Sequence, residues 1–371
     1  MDRFITDGEI SISEEDWEEL NYEHSKDEIK EILSDLIDDH SIQMPMRKIS
    51  NIDAKEDFLK LIDLDHHKIF EKVEWCTRYD YDEEFFFLYE ILKCNNVGNK
   101  SSDYFQQTNR WNCDSINSPS PHRSWYIKRF RLTLFNALWS LKVKKVDMAT
   151  LRTCIALRKY IASQFRPSTA KAIYNRFEAK NVLDFSSGWG DRLSGFFSSN
   201  AESYVGIDPN TPVYETYRKQ IHKYSSLRDK KVEMLNGCAE DMDLGDRMFD
   251  LIFTSPPYFN IEKYSKDDSQ SFKKFKKIED WLEGFLFKAI GNAWKHLEVG
   301  GHMLINISDV YSNHTVNNIC DPMNHFIKSF DDSEYVGAMG YEMRKRPNSG
   351  SLKGKTGKFA EPIWIWRKNE N

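Results

Sequence analysis

No run of about 18 apolar residues occurs in this chain, so its sequence offers no membrane-spanning helix. Cysteine is sparse: Cys76, Cys94, Cys113, Cys154, Cys238 and Cys320 are scattered, and none forms a CxxC pair. That spacing excludes a zinc knuckle and a CxxC redox motif; no metal is implied, and free thiols in a reducing compartment are expected. The opening "MDRFITDGEISISEEDWEEL" is acidic and lacks an apolar h-region, which argues against a secretory signal there. A soluble, intracellular protein is the expectation. Internal repeats and long low-complexity tracts are also missing. Positive charge is in deficit, with a net charge of −6, which taken alone argues against a nucleic-acid partner.

What is present is core-forming material. The 371 residues are 40% hydrophobic and 14% aromatic, enough for two domains or one large α/β domain with an addition. Charge is unevenly spread. Residues 1–60 hold 18 acidic against 7 basic residues, whereas residues 341–368 hold 8 basic against 2 acidic. A solvated surface is one reading of the basic end; a polyanion facing it is the other.

Residues 1–50 read as an acidic, partly mobile leader with one helix in "DEIKEILSDLIDD". Residues 51–160 read as mainly helical, including "FLKLIDLDHHKIFEKVEW", "EEFFFLYEILK", "RSWYIKRFRLTLFNALWSLK" and "MATLRTCIALRKYIASQF". Between them the polar "NNVGNKSSDYFQQTNRWNCDSINSPSPH" reads as a loop. From residue 161 to 371 the texture changes to short apolar runs alternating with amphipathic segments. Strands are expected at "NVLDF", "SYVGIDPN", "VEMLNGCAED", "FDLIFTS" and "GHMLINISD". The last helix, "IEDWLEGFLFKAIGNAWKHL", is expected to end at a Gly300-Gly301 cap. The alternation implies an α/β fold with a doubly wound, mostly parallel, Rossmann-like sheet and a helical N-terminal region. Ligands of such sheets bind beyond the carboxyl ends of the strands, at the switch point.

Those strand ends carry the unusual residues. "VLDFSSGWGD" turns tightly through Gly188 and Gly190 after Asp184, as a backbone approaching a ligand would. Asp208 ends the next strand 24 residues on, a placement suited to two ribose hydroxyls. At the third end, in "NGCAEDM", Asp241 or Glu240 is placed to accept an adenine amino group. The fourth end is abrupt: an apolar strand stops at Ser255-Pro256-Pro257-Tyr258. Two successive prolines cannot continue a ladder.

Together these strand ends resemble the class I S-adenosylmethionine-dependent methyltransferases, and "SPPY" after an apolar strand is similar to the DNA amino-methyltransferases. The resemblance spans roughly residues 165–310. "FRPSTA", at 165–170, is similar to the motif that touches the methionine part of the cofactor. Its place before the glycine turn gives a γ-like motif order. The resemblance implies S-adenosyl-L-methionine as cofactor, with Pro167, Thr169, Asp184, Ser186, Gly188, Gly190, Asp208, Glu240 and Asp241 contacting it. In the family the first loop reads Asp-Pro-Phe-x-Gly-x-Gly; here Phe185 and Ser186 stand at the Pro and Phe positions.

The implied reaction is methyl transfer to an exocyclic amine of a DNA base. Ser255 at the first motif position leans towards N4 of cytosine over N6 of adenine. Its hydroxyl and the Pro256 carbonyl would accept from the amine, Pro257 would stiffen the corner, and Tyr258 would stack the ring of a flipped base. Cations beyond the corner (Lys273, Lys274) and in "MRKRPNSGSLKGKTGKF" (Arg344, Lys345, Arg346, Lys353, Lys355) are candidate phosphate contacts. The 343–359 stretch reads equally as a hairpin tip. Target recognition is expected within 51–160, and residues 161–371 as the methyltransferase domain. An RNA base, a protein amide, or a non-catalytic nucleic-acid-binding role are the competing readings.

Overall fold

The computed structural model describes all residues except 1, 74, 77–79, 117, 260, 313–314, 344–357 and 371. No helix among them is long and apolar enough to cross a membrane. The chain divides into two compact units: Met1–Lys48 with Gln107–Ser163, and Ile49–Gln106 with Gln164–Asn371.

In the first unit the acidic N-terminal residues fold with 107–163. Its helices span Glu14–Glu23, Lys26–Asp39, Pro121–Tyr126, Lys128–Ser140 and Met148–Arg158. The Lys26–Asp39 helix opens on a capping box between Ser25 and Glu28. Its apolar stripe, with Ile29, Leu33 and Ile37, is buried in one cluster with Trp125, Leu134, Phe135 and Leu138. The acids of this helix lie on the opposite face.

The second unit is built on one large sheet. Its strands are β1 (Phe70–Lys72), β2 (Phe87–Leu92), β3 (Asn181–Asp184), β4 (Ser203–Asp208), β5 (Lys231–Asn236), β6 (Phe249–Thr254), β7 (Leu297–Asn306), β8 (Ser333–Glu342) and β9 (Lys358–Lys368). Their order across the sheet is β5-β4-β3-β6-β7-β9-β8-β2-β1, and the two-residue strand Trp75–Cys76 pairs with β9. From β5 to β7 all neighbours run parallel. β9 lies antiparallel between β7 and β8. The chain starts at β3, winds outward through β4 and β5, then returns to β6 on the other side of β3. The switch point therefore lies between β3 and β6.

The helices that position the switch point are α1 (Pro167–Arg176), α2 (Asp191–Ser198), α3 (Thr211–Ser225) and α4 (Phe287–Lys295). α1 packs closely on α2, because a Cβ at Gly195 would come within 2.5 Å of the Ala170 Cβ. Ile252, Leu183, Met303, Ile305, Trp364 and Trp366 belong to one buried cluster of the sheet. Both tryptophans are thus core residues.

Three sequence expectations are corrected here. "EEFFFLYEILK" is strand β2, not helix: a short aromatic run has no period to separate the two, and pairing with β8 decides. The polar stretch read as a loop contains a helix, Asn99–Asn112. Its Ser101, Ser102 and Gln106 are fully buried, so the inward face is polar and shows no apolar period. Lastly, the helix before β7 ends at Lys295, and Gly300 and Gly301 lie inside β7. Gly300 takes φ +83° there, where β7 slips register against β6. A π turn, Leu282–Leu286, also interrupts the segment upstream of α4.

Candidate active site

The glycine turn links β3 to α2. Gly188 and Gly190 adopt φ of +59° and +70°, a region that favours glycine. A Cβ at Gly190 would come within 2.4 Å of Gln220 Oε1, so a side chain there is also excluded sterically. The Gln220 Nε2 donates to the Gly190 carbonyl at 2.8 Å, and the buried Tyr217 hydroxyl donates to that of Gly188. α3 thereby holds the turn from behind.

Asp184 is fully buried and already saturated. Its carboxylate accepts from Arg192 Nε at 2.8 Å and Nη2 at 3.2 Å, from the Tyr204 hydroxyl at 2.7 Å, and from Thr254 Oγ1 at 2.9 Å. The Ser186 amide adds a fifth contact at 3.3 Å. Direct cofactor contact through the Asp184 side chain is therefore a poor expectation. This acid ties β3, β4, β6 and α2 together beneath the site, and beside it burial pushes the Tyr204 phenol well up. Ser186 keeps a partly exposed side chain, while its carbonyl accepts from Arg192.

Asp208 is half-buried at the end of β4. One oxygen accepts from the Gly188 amide at 2.8 Å and the other from the Asn210 amide at 2.9 Å. Burial raises its pKa to about 6 against the pull of those two bonds. Each oxygen retains a second lone pair, which two adjacent hydroxyls would satisfy. The buried Asn210 Oδ1 has no partner.

Pro167 occupies the first turn of α1, and both it and Thr169 are buried. Thr169 Oγ1 and the Arg166 Nη1 are buried without a partner. The Arg166 guanidinium lies 4.5 Å over the Tyr341 ring, whose hydroxyl accepts from the Arg166 amide at 3.1 Å. Orphaned polar atoms at Arg166, Thr169 and Asn210, a receptive Asp208 and a turn with glycine at 188 and 190 all fit a nucleoside carrying an amino-acid tail.

The elbow comes directly after β6. Ser255 Oγ donates to the Asn306 carbonyl at 3.1 Å, from the end of β7. With its hydrogen engaged, the hydroxyl presents lone pairs on its other side. Pro256 is buried and Pro257 half-buried. Tyr258 donates its hydroxyl to Glu361 Oε2 at 3.0 Å, so β9 fixes the ring. Phe259 closes the corner at φ +49°, with its amide on the Pro257 carbonyl at 3.0 Å. That conformation is costly for a residue with a bulky side chain, and packing of Phe259 against Trp281 retains it.

The remaining expected residues divide. Glu240 and Asp241 form a short turn after β5; Asp241 is exposed, and the Glu240 side chain, 4% exposed, is paired with Lys274 at 2.9 Å. Lys273 bonds Asp268 and the Lys266 carbonyl. Both lysines are thus paired with carboxylates of this chain. Arg344, Lys345, Arg346, Lys353 and Lys355 lie outside the described residues. Asp309 caps the Cys320–Lys328 helix by accepting from the Ile319 and Cys320 amides, which makes it structural. Sequence reasoning missed Arg192, Thr254, Asn306 and Glu361. Arg192 lies so soon after the turn that its helix position was a usable signal; Glu361 had none.

The switch point of the doubly wound sheet thus gathers a glycine turn, a receptive acid and a rigid Ser-Pro-Pro-Tyr elbow. Residues 249–371 match the family model described as DNA methylase. No curated protein matches the chain. Among solved structures it is similar to TehB from Haemophilus influenzae, with 12% identity over 56% of this chain and 63% of that one, at TM-score 0.35. TrmN from Thermus thermophilus is similar at 14% identity over 54% and 48% of the two chains, TM-score 0.36. An rRNA methylase from Streptococcus thermophilus is similar at 14% identity, 56% and 100% coverage, TM-score 0.36. The chain thus spans less than two thirds of the first two.

Proposed function

We propose that this protein transfers a methyl group from S-adenosylmethionine to the exocyclic amine of a DNA base, with N4 of cytosine favoured over N6 of adenine. One observation carries the reading: Thr254, immediately before the elbow, donates at 2.9 Å to Asp184, immediately before the glycine turn. The two halves of the site are therefore anchored on a single buried carboxylate.

Arg166, Thr169, the Gly188 and Gly190 turn, Asp208 and Asn210 would hold the methyl donor. When bound, it supplies an electrophilic methyl on a sulfonium, so no strong base is needed at the acceptor. An exocyclic amine has its lone pair delocalised into the ring. Ser255 Oγ and the Pro256 carbonyl accept from its two hydrogens and turn the lone pair out of the ring plane. The prolines and the Asn306 bond fix these acceptors before the base arrives, so little reorganisation is left for the reaction. Tyr258, tied to Glu361, offers a stacking face worth roughly 1–3 kcal/mol to a flipped base. One amine proton leaves to water after transfer. The cations at 344–355 are the proposed phosphate contacts.

Incorporation of label from methyl-labelled S-adenosylmethionine into duplex DNA, single-stranded DNA and RNA tests the reading. Label in DNA supports it. Label in RNA or protein alone would sink the substrate assignment while leaving the donor site intact.

A further inference from the structure

The loop after the elbow has a second face. Asp267 Oδ2 accepts from the Thr211 amide at 3.4 Å, beside Asn210 at the end of β4. The Ser269 carbonyl accepts from Cys238 Sγ at 3.5 Å, after β5. Lys274 Nζ donates to Glu240 Oε1 at 2.9 Å and to Cys238 Sγ at 3.2 Å. Tyr264 packs on Trp189 of the glycine turn, with centroids 5.7 Å apart. Residues 264–274 thus touch the loops leaving β3, β4 and β5, the three ends where a nucleoside would lie.

Within this stretch Gln270 is 4% exposed, and its Nε2 has no hydrogen-bond partner. A buried amide donor left unpaired is costly, and native folds rarely tolerate it without a reason. Asn210 Oδ1, on the neighbouring segment, is an unpaired buried acceptor of the same kind.

We propose that residues 264–274 form a strap over the nucleoside end of the methyl donor. Gln270 Nε2 donates to that nucleoside, Asn210 Oδ1 accepts from it, and the Lys274–Glu240 pair latches the strap shut. Lys274 thereby serves donor retention and not phosphate contact. This rests on the reading of the site as a methyl-donor pocket.

The test is binding of S-adenosylhomocysteine to the full-length protein, with affinity by calorimetry and release by stopped-flow fluorescence. Gln270→Leu should weaken binding about tenfold, which is about 1.4 kcal/mol, and leave the ligand-free melting temperature unchanged or raised. Lys274→Met should speed release about tenfold; it remains informative if Gln270→Leu does not fold. Wild-type affinity and release in both variants would sink the strap alone. Failure of the wild type itself to bind at 1 mM ligand would remove the donor pocket and the strap together.

Discussion

Asp208→Asn perturbs the acid on which the proposed cofactor side of the site depends most. In the wild type each carboxylate oxygen takes one backbone amide, at 2.8 and 2.9 Å, and keeps one lone pair for a ligand hydroxyl. Asparagine supplies one acceptor oxygen and turns a donor towards the second amide. Hydrogen bonds to a charged acceptor contribute roughly 1.5–3 kcal/mol. Weakening one and losing the other predicts a cost of about 2–3 kcal/mol, or roughly 30- to 150-fold in the dissociation constant for S-adenosylhomocysteine. pH gives an independent signature. Burial lifts the pKa of Asp208 to about 6, and ribose hydroxyls donate best to the ionised form. Wild-type affinity should therefore hold from pH 8 to 7 and fall below pH 6, approaching about tenfold per pH unit. The asparagine variant should lack that fall. The linkage for the ligand-free protein has the opposite sense. A raised folded pKa means the folded state holds the proton more tightly, so Asp208 withdraws stability as pH rises through about 4 to 6. Calorimetry at pH 5, 6, 7 and 8 checks all of this. An asparagine variant within threefold of wild type at pH 7 would refute the assignment of Asp208.

Other perturbations separate the remaining roles. Ser255→Ala should lower turnover by about 10²-fold, in the range of a lost preorganised hydrogen bond, with S-adenosylhomocysteine affinity within twofold; equal loss of both would show a damaged fold instead. Tyr258→Phe removes the bond to Glu361 but keeps the ring, so its effect on KM for DNA should be smaller than that of Tyr258→Ala; equal effects would show that ring anchoring, not stacking, is what matters. Arg192→Met strips the guanidinium from a fully buried carboxylate and should cost about 3–5 kcal/mol of stability in urea unfolding; a cost under 1 kcal/mol would contradict the pivot role of Asp184.

The parts of this fold that were legible in the sequence are those where local chemistry leaves little choice. Apolar runs of strand length ending at Asp184, Asp208 and Ser255 located three strand ends, because glycine turns and prolines restrict the conformations open to the next residues. What escaped depends on contacts between segments distant in sequence. Asp184 reads as a ligand contact until Arg192, Tyr204 and Thr254 are seen to occupy it. Lys274 reads as a phosphate contact because a charge run looks solvated, yet its partner Glu240 lies within reach only after folding. The Asn99–Asn112 helix was illegible because serine and glutamine form its buried side, where Ser101 bonds Tyr224 at 2.9 Å.

The most direct measurement is mass spectrometry of nucleosides from DNA incubated with S-adenosylmethionine and either wild type or Ser255→Ala. N4-methylcytosine made by the wild type and reduced about 10²-fold in the variant is the predicted result. Methylated DNA formed equally by both proteins, or modified nucleosides recovered from RNA only, would contradict it.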